Sequence, residues 1–400
     1  MNRRAFLRNT LVGCSVAASP LITPISFAGA PTDNRLVVIL LRGGMDGLGV
    51  LRPHGDPEYT TTRGARDRRA LDLDGFFALQ PALADLMPLW SAGELSFAHA
   101  VSTPYRDKRS HFDGQDLLEA GSVTLNQVRD GWMNRMLAHL PGAHLDTAYA
   151  IGNDPLPVLS GAVPVKRWSP QADLALSPQA IRLAHLVMED DPAMAAALTE
   201  AFELADSDGD AVAFEGTPRE MMSMMAADTR RPRGQTPEVG LAKFAASRLS
   251  GASRVASFSI NGWDTHARQE RNLARALQSL SRVILTLRDE LTPHIWQQTT
   301  VVAVTEFGRT ARLNGSQGTD HGTGGAMLLA GGALNGGRVI TDWPGLAEAD
   351  LYDRRDLMPT RDVRAHLGWL MRGMFALDRS AIERDIFPGL ELGDDPGLLL

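Results

Sequence analysis

The chain has 400 residues, 44% of them hydrophobic and 22% charged, with a formal net charge of −7. That balance excludes a disordered or fibrous protein and gives enough length for one large domain, or a core domain with a sizeable insertion. A negative balance also argues against a nucleic-acid binder, which normally presents a basic face.

The first thirty residues stand apart from the rest. "NRRAFLRNT" sets Arg3 and Arg4 ahead of Phe6 and Leu7, a short small-residue run broken by Pro20 and Pro24 follows, and "FAGA" ends an A-x-A-like cleavage site at Ala30. The pattern reads as a twin-arginine export signal over 1–30 rather than a membrane span, because the apolar run is too short. It predicts a periplasmic or secreted protein handled by the twin-arginine export machinery. Cys14, the only cysteine, lies inside this signal, where "LVGC" resembles a lipobox with almost no apolar run before it. The mature chain, 31–400, then has no thiol for a disulfide or a metal. Loss of Arg3, Arg4 and Arg8 takes its charge to −7 − 3 = −10.

"RLVVILLRGG", 35–44, is a continuous apolar run ending in two glycines, the mark of a strand buried on both faces. Similar runs recur at 95–101, 148–152, 254–260, 299–305 and 326–332. Between them lie helical patterns such as 274–291, with apolar residues three and four apart. Alternating strands and helices predict an α/β sandwich with a mainly parallel sheet. The stretch 170–250, rich in Ala, Met, Asp and Glu, reads as a helical insertion, with "TRRPRGQTPE" (229–238) as an exposed linker. "DSDGD" at 206–210 lacks the later Gly and Glu of a calcium loop and reads as a solvated acidic turn.

Ligands of open α/β sheets collect beyond the carboxyl ends of the strands. Here those ends present Asp46 after 35–41, Ser110 and His111 after 95–101, Asp264 and His266 after 254–260, and Glu306 and Arg309 after 299–305. The glycine-dense "GSQGTDHGTGG" (315–325) adds Asp320 and His321, poor core material but good ligand material. Asp264 and His266, two apart on an extended segment, project to one side and can share an ion. The mixture predicts a site for a divalent cation: zinc or manganese, with calcium or magnesium tolerated at oxygen-rich positions. "RGGMDGLG" lacks the G-x-G-x-x-G spacing of a dinucleotide fold, and its carboxylate would repel a pyrophosphate.

"LLRGGMDGL", "RSHFDGQDLLEAG", "NGWDTH", "TEFGRT", "GTDHGTGGAMLLAGGALNGG" and "DWPGL", in that order, resemble the bacterial family labelled domain of unknown function 1501, which is similar to the alkaline phosphatase/sulfatase superfamily. The resemblance runs from about residue 35 to about 370. It implies a three-layer α/β/α sandwich, a first-strand carboxylate at Asp46, a nucleophile at Ser110, and metal ligands at Asp264, His266, Glu306 and His321. Two departures bear on the site. A single residue, Thr265, separates Asp264 from His266, and Phe307 stands where the superfamily carries a second metal ligand, so Asp320 fills that site or one ion is bound.

The expected activity is hydrolysis of, or transfer from, a phosphate or sulfate ester, on an anionic small molecule or a glycan ester. Ser110 serves either as nucleophile or as plain helix cap, with Arg106, Lys108 and Arg109 flanking it as anion-binding neighbours. His111 is the expected acid or base, and Arg42 or Arg309 stabilises transition-state charge. The alternative is a catalytically degenerate protein of the same fold that acts as partner or scaffold for an envelope protein.

Overall fold

The computed structural model describes residues 32–106, 109–169 and 236–400. The export signal with Cys14, Lys108, the acidic turn and 170–235 of the expected insertion lie outside the described residues.

Strand β1 (Arg35–Arg42) is near the middle of the sheet. The others in chain order are β2 (Leu95–Ser102), β3 (Ala148–Ile151), β4 (Lys166–Trp168), β5 (Val255–Asn261), β6 (Thr299–Val304), β7 (Gly325–Ala330), β8 (Val339–Ile340) and β9 (Arg361–Asp362). Among the described residues the spatial order is β8-β2-β7-β6-β1-β5-β3-β4, with β9 paired beside β8 on β2. Every strand runs the same way except β7, which is antiparallel to both β6 and β2. The expected mainly parallel sheet is present. The reversal of β7 has a direct consequence: its starting end, just after the glycine loop, lies at the same edge as the carboxyl ends of its neighbours.

Burial on both faces follows from the period of two along β1. Val37, Ile39 and Leu41 face one layer, and Leu36, Val38 and Leu40 face the other. The first layer contains α3 (Pro237–Leu249) and α4 (Gln269–Glu290). In α4, Leu273, Leu277, Leu280, Ile284 and Leu287 recur at three and four residues and give it a buried stripe. The second layer contains α2 (Trp132–Ala138) and α5 (Val363–Phe375), with Trp132, Met136, Leu370 and Met374 in its core. Together they make a three-layer α/β/α sandwich.

One expectation is corrected here. The stretch 237–249 was expected within a helical insertion, with Pro237 and Glu238 in its linker. Both residues instead open α3, and Leu241, Phe244, Ala245 and Leu249 pack into the main core. Proline suits the first helical turn, where its missing N–H costs nothing. No helix among the described residues is long and apolar enough to cross a membrane.

Candidate metal centre

After β5 the chain alternates between core and solvent. Trp263 is buried and donates its Nε1–H to the Ile260 carbonyl at 2.9 Å; Asp264 is exposed; Thr265 is buried; His266 is exposed. Asp264 and His266 therefore point to one side. The glycine loop reaches them because its backbone can come unusually close. A Cβ on Gly318 would overlap the backbone of His266, and one on Gly322 would overlap the backbone of Arg309. From that loop His321 enters. From the far side of the sheet's edge comes His111, the first residue of α1 (His111–Ala120).

Three imidazole Nε2 atoms surround one carboxylate oxygen. Asp264 Oδ1 lies 2.9 Å from His266 Nε2, 3.4 Å from His321 Nε2 and 3.5 Å from His111 Nε2. His111, Asp264 and His321 offer ligand atoms within 4.8 Å of one another, and His266 Nε2 is 3.0 Å from His321 Nε2. Each ring is fixed through its other nitrogen. His111 Nδ1 meets Glu306 Oε1 at 2.7 Å, His266 Nδ1 meets Asp320 Oδ1 at 3.1 Å, and His321 Nδ1 meets the Arg109 carbonyl at 2.8 Å. A carbonyl or carboxylate only accepts, so Nδ1 carries the hydrogen in each ring. In the neutral imidazoles every Nε2 then presents a lone pair inward, toward a carboxylate oxygen. Arg309 donates to this Asp264 oxygen at 2.7 Å, but no hydrogen lies between the three inward ring nitrogens and the carboxylate, and a cation among them would relieve their mutual repulsion. The His111 Nε2 is buried without a hydrogen-bond partner, as a vacant ligand atom would be. This donor set fits a divalent cation, with the outer carboxylates and carbonyl orienting the ligands.

The electrostatics agree for Asp264, Glu306, Asp320 and His321, while His111 is shifted toward its protonated, non-ligating form. Burial alone would raise the Asp264 carboxyl, but the Arg309 guanidinium, 2.7 Å from Oδ1, holds it below the usual carboxylate range. Burial likewise opposes ionisation of Glu306, and hydrogen bonds from His111, Gly43 and Thr305 overcome it and keep the group low. The hydrogen bond from Asn314 is the main influence lowering Asp320; burial opposes it, and the His266 hydrogen bond adds a lesser lowering. Burial lowers His321 and so favours its neutral, ligating form. The Glu306 hydrogen bond raises His111.

Several expected roles change. Asp46, expected as a metal ligand, is fully buried and gripped by both terminal nitrogens of Arg63, at 2.6 and 2.8 Å, with Gln269 also donating to it. It has no free oxygen face and lies outside the cluster. Glu306 and Asp320, also expected as ligands, sit one step out and hold His111 and His266. His111, expected as an acid or base, supplies an inward Nε2. Arg42 and Arg309, expected to bind substrate, are engaged internally. Arg42 reaches Glu119 at 2.9 Å and Gln115 at 2.8 Å, while the side chain of Arg309 is fully buried between Asp264 and Thr319. Arg109 contributes its backbone carbonyl, from a left-handed conformation with φ 53°. Ser110 caps α1, its Oγ accepting the Asp113 N–H at 3.3 Å, and both this cap and the nucleophile role remain compatible with its position beside His111.

Phe307, buried, lies against the rings of His111 and His321 at centroid distances of 5.0 and 5.1 Å. It walls the centre on the side where a further ligand was expected. Among the described residues, His111, Asp264 and His321 form one metal-sized group, and no second such group accompanies them. The inward placement of His111, expected as an acid or base, had one usable signal: its place immediately after a helix cap at a strand exit. The Arg109 carbonyl had none, since backbone atoms leave no trace in residue type.

The chain belongs to the family described as "Protein of unknown function (DUF1501)", which it matches over residues 96–368. Among solved structures it is similar to the lipoteichoic acid synthase LtaP from Listeria monocytogenes, at 10% identity and a TM-score of 0.43, over 90% of this chain and 77% of that one. It is also similar to a protein in the alkaline phosphatase superfamily from Vibrio parahaemolyticus, at 12% identity and a TM-score of 0.36, over 95% of this chain and 78% of that one. No curated protein matches it.

Proposed function

We propose that the protein is a metal-dependent hydrolase or transferase acting on a phosphate or sulfate ester. The observation that carries the reading is the convergence of three Nε2 lone pairs on the Asp264 carboxylate, each ring locked from behind. His111, Asp264, His266 and His321 are the holding residues, and three imidazoles with one carboxylate suit zinc better than calcium or magnesium. A divalent ion there supplies Lewis-acid chemistry, withdrawing charge from an ester oxygen.

The chain's own groups account for the rest. The amino end of α1, beside the cluster, favours an oxyanion through its outward backbone N–H groups. Ser110 Oγ accepts the Asp113 N–H, so the cap does not use its hydroxyl hydrogen. On attack at phosphorus or sulfur the bond to the departing ester oxygen would break and the seryl proton would pass through solvent to that oxygen. Glu306 and Asp320 hold two of the imidazoles in the Nδ1–H tautomer. Phe307 keeps water from one side. Metal analysis of the purified chain, with assay on aryl phosphates and aryl sulfates before and after chelation, tests the proposal. Stoichiometric zinc and chelator-sensitive turnover are expected; metal-free protein whose melting ignores chelator overturns it.

A second reading has its own support: Arg42 and Arg309 are spent on internal pairs. In that reading the protein keeps the centre as a structural element and serves as an envelope partner. Zinc-loaded protein inert toward every ester tried, yet retaining a partner in pull-down, selects it. We also propose twin-arginine export with cleavage after Ala30. Amino-terminal sequencing of the exported chain tests this, and recovery of intact Met1 in the cytoplasm refutes it.

A further inference from the structure

Helix α4 begins three residues after His266 and carries a charge pattern that the metal centre does not use. Arg271, Arg275 and Arg282 are spaced four and seven apart, which places the three on one helix face, and Arg268 precedes them at the cap in a left-handed conformation. Gln278 fills the remaining position of that stripe. All five side chains are exposed, opposite the buried Leu273–Leu277–Leu280–Ile284 stripe. None of the four arginines has an ion-pair partner among the described residues. Elsewhere some arginines are paired, Arg52 with Asp67 and Glu270, Arg63 with Asp46 and Arg364 with Asp362, while others, such as Arg312, Arg338 and Arg384, have no ion pair among the described residues; this row is distinguished by its members sharing one helix. A row of unneutralised guanidinium groups on a chain of net charge −7 repels itself, and an anionic ligand relieves that cost.

The stripe is continuous with the metal centre. Asp264 and Thr265 line the same hollow, of about 410 Å³, as Asn272, Arg275, Ser279 and Arg282, with Glu238 as the acidic group on the facing wall. Arg268 and Arg271 line a neighbouring hollow on the other flank of the helix start. At 1.5 Å per residue the four arginines extend over about 20 Å, far longer than one phosphate or sulfate group. Planar guanidinium forks match tetrahedral oxyanions. The face has no aromatic residue on which bases would stack, since α4 contains none. It has no exposed apolar residue to enter a bilayer either: among the described residues the exposed large hydrophobics, Phe112, Val123, Leu145 and Leu400, lie elsewhere.

We propose that the arginine face of α4 is an extended subsite for an anionic glycan bearing repeated sulfate or phosphate esters, one of which reaches the metal centre. The inference rests on the hydrolase reading, yet binding along α4 requires no turnover and is measured separately. The probe is a short dextran sulfate, titrated into the full chain by calorimetry at low and moderate salt, with uncharged dextran, a twenty-residue oligothymidylate and phosphatidylglycerol vesicles alongside.

Dextran sulfate should bind, with affinity falling as salt rises. The triple variant R271Q/R275Q/R282Q should weaken it by about tenfold or more while zinc content and melting temperature stay unchanged. A triple variant that binds dextran sulfate like the parent overturns the proposal. So does equal binding of oligothymidylate or vesicles, because the face would then read charge without regard to the chain that carries it. If the protein proves free of metal but still binds dextran sulfate through these arginines, only the hydrolase reading falls.

Discussion

Asp46 and Asp264 each follow a buried strand, β1 and β5, and each meets an arginine. The pairs differ in what is left over. Asp46 is fully buried, both oxygens are taken by Arg63, and Arg63 itself is 5% exposed. In the other pair it is the arginine that is sealed: Arg309 is 0% exposed and Asp264 is 43% exposed. The buried acid is a closed ion pair. The open acid keeps a free face, and three imidazoles gather on it. An acidic residue at a strand exit thus becomes a ligand or a strut according to which member of its pair the fold covers.

The largest effect separates the two aspartates. Asp46→Asn leaves the Arg63 charge buried and uncompensated, which costs about 3–5 kcal/mol. Asp264→Asn likewise strips a sealed guanidinium of its carboxylate, and the Arg309 bonds to Thr319 and Gly43 offset only part of that cost, while the centre also loses its anionic group. Thermal melts and zinc content measured on both variants should separate them by metal: early unfolding with zinc retained for Asp46→Asn, early unfolding with zinc lost for Asp264→Asn. Zinc lost equally from both erases the distinction.

A smaller effect grades the outer groups that hold the rings. Glu306→Gln and Asp320→Asn remove an orienting carboxylate without touching an inward ligand atom. Such losses lower metal affinity by about 10–100-fold. Glu306, 1% exposed and bonded to four donors, should matter more than Asp320, 54% exposed. Chelator competition measures the order. A reversed order means that Asp320 ligates directly and the present assignment of inner and outer groups is wrong.

Smaller still is the cap. Ser110→Ala removes the acceptor for the Asp113 N–H and costs about 1 kcal/mol, whereas Ser110→Asn keeps a capping oxygen. Both should abolish turnover if the hydroxyl is the nucleophile. An Asn variant that still turns over ester assigns Ser110 to the cap alone.

The strands were legible because long runs such as "RLVVILL" admit few readings, and the site's location followed from what stands after them. Asp264, His266 and His321 were legible too, since exposed acid and imidazole at strand exits have little structural use. The order of the groups around the centre was not. Whether a carboxylate touches an ion or the back of a histidine depends on which ring nitrogen faces inward, a matter of side-chain rotation that residue type does not encode. Asp46 misled because its partner Arg63 ends a single-turn helix, Tyr59–Arg63, too short for a periodic pattern to announce it. The reversed direction of β7 was equally hidden: "AMLLA" is apolar in either direction, and its pairing with β2 and β6 is set by contacts far away in sequence.

The contrast between a covered and an open ionisable group extends to histidine, and there it makes the smallest prediction. His111 is raised by its Glu306 partner, whereas His366, buried in α5 with Nδ1 unpartnered, is lowered to about 3, chiefly by desolvation and secondarily by Arg361. An unfolded chain protonates this imidazole near 6.5, so between about 6.5 and about 3 the unfolded state holds a proton that the native state refuses. The native state therefore loses stability as pH falls through that window and is unaffected above it. Buried His99, lowered to about 4 mainly by desolvation, adds to the same slope. His366→Leu replaces the ring with an apolar group of similar size, which costs less than about 1.5 kcal/mol at neutral pH. Urea melts at pH 7.5 and pH 5 should show the parent losing more midpoint stability on acidification than the variant. Equal losses would mean that His366 takes up a proton in the folded protein, and that burial without a partner does not by itself hold a histidine neutral in this core.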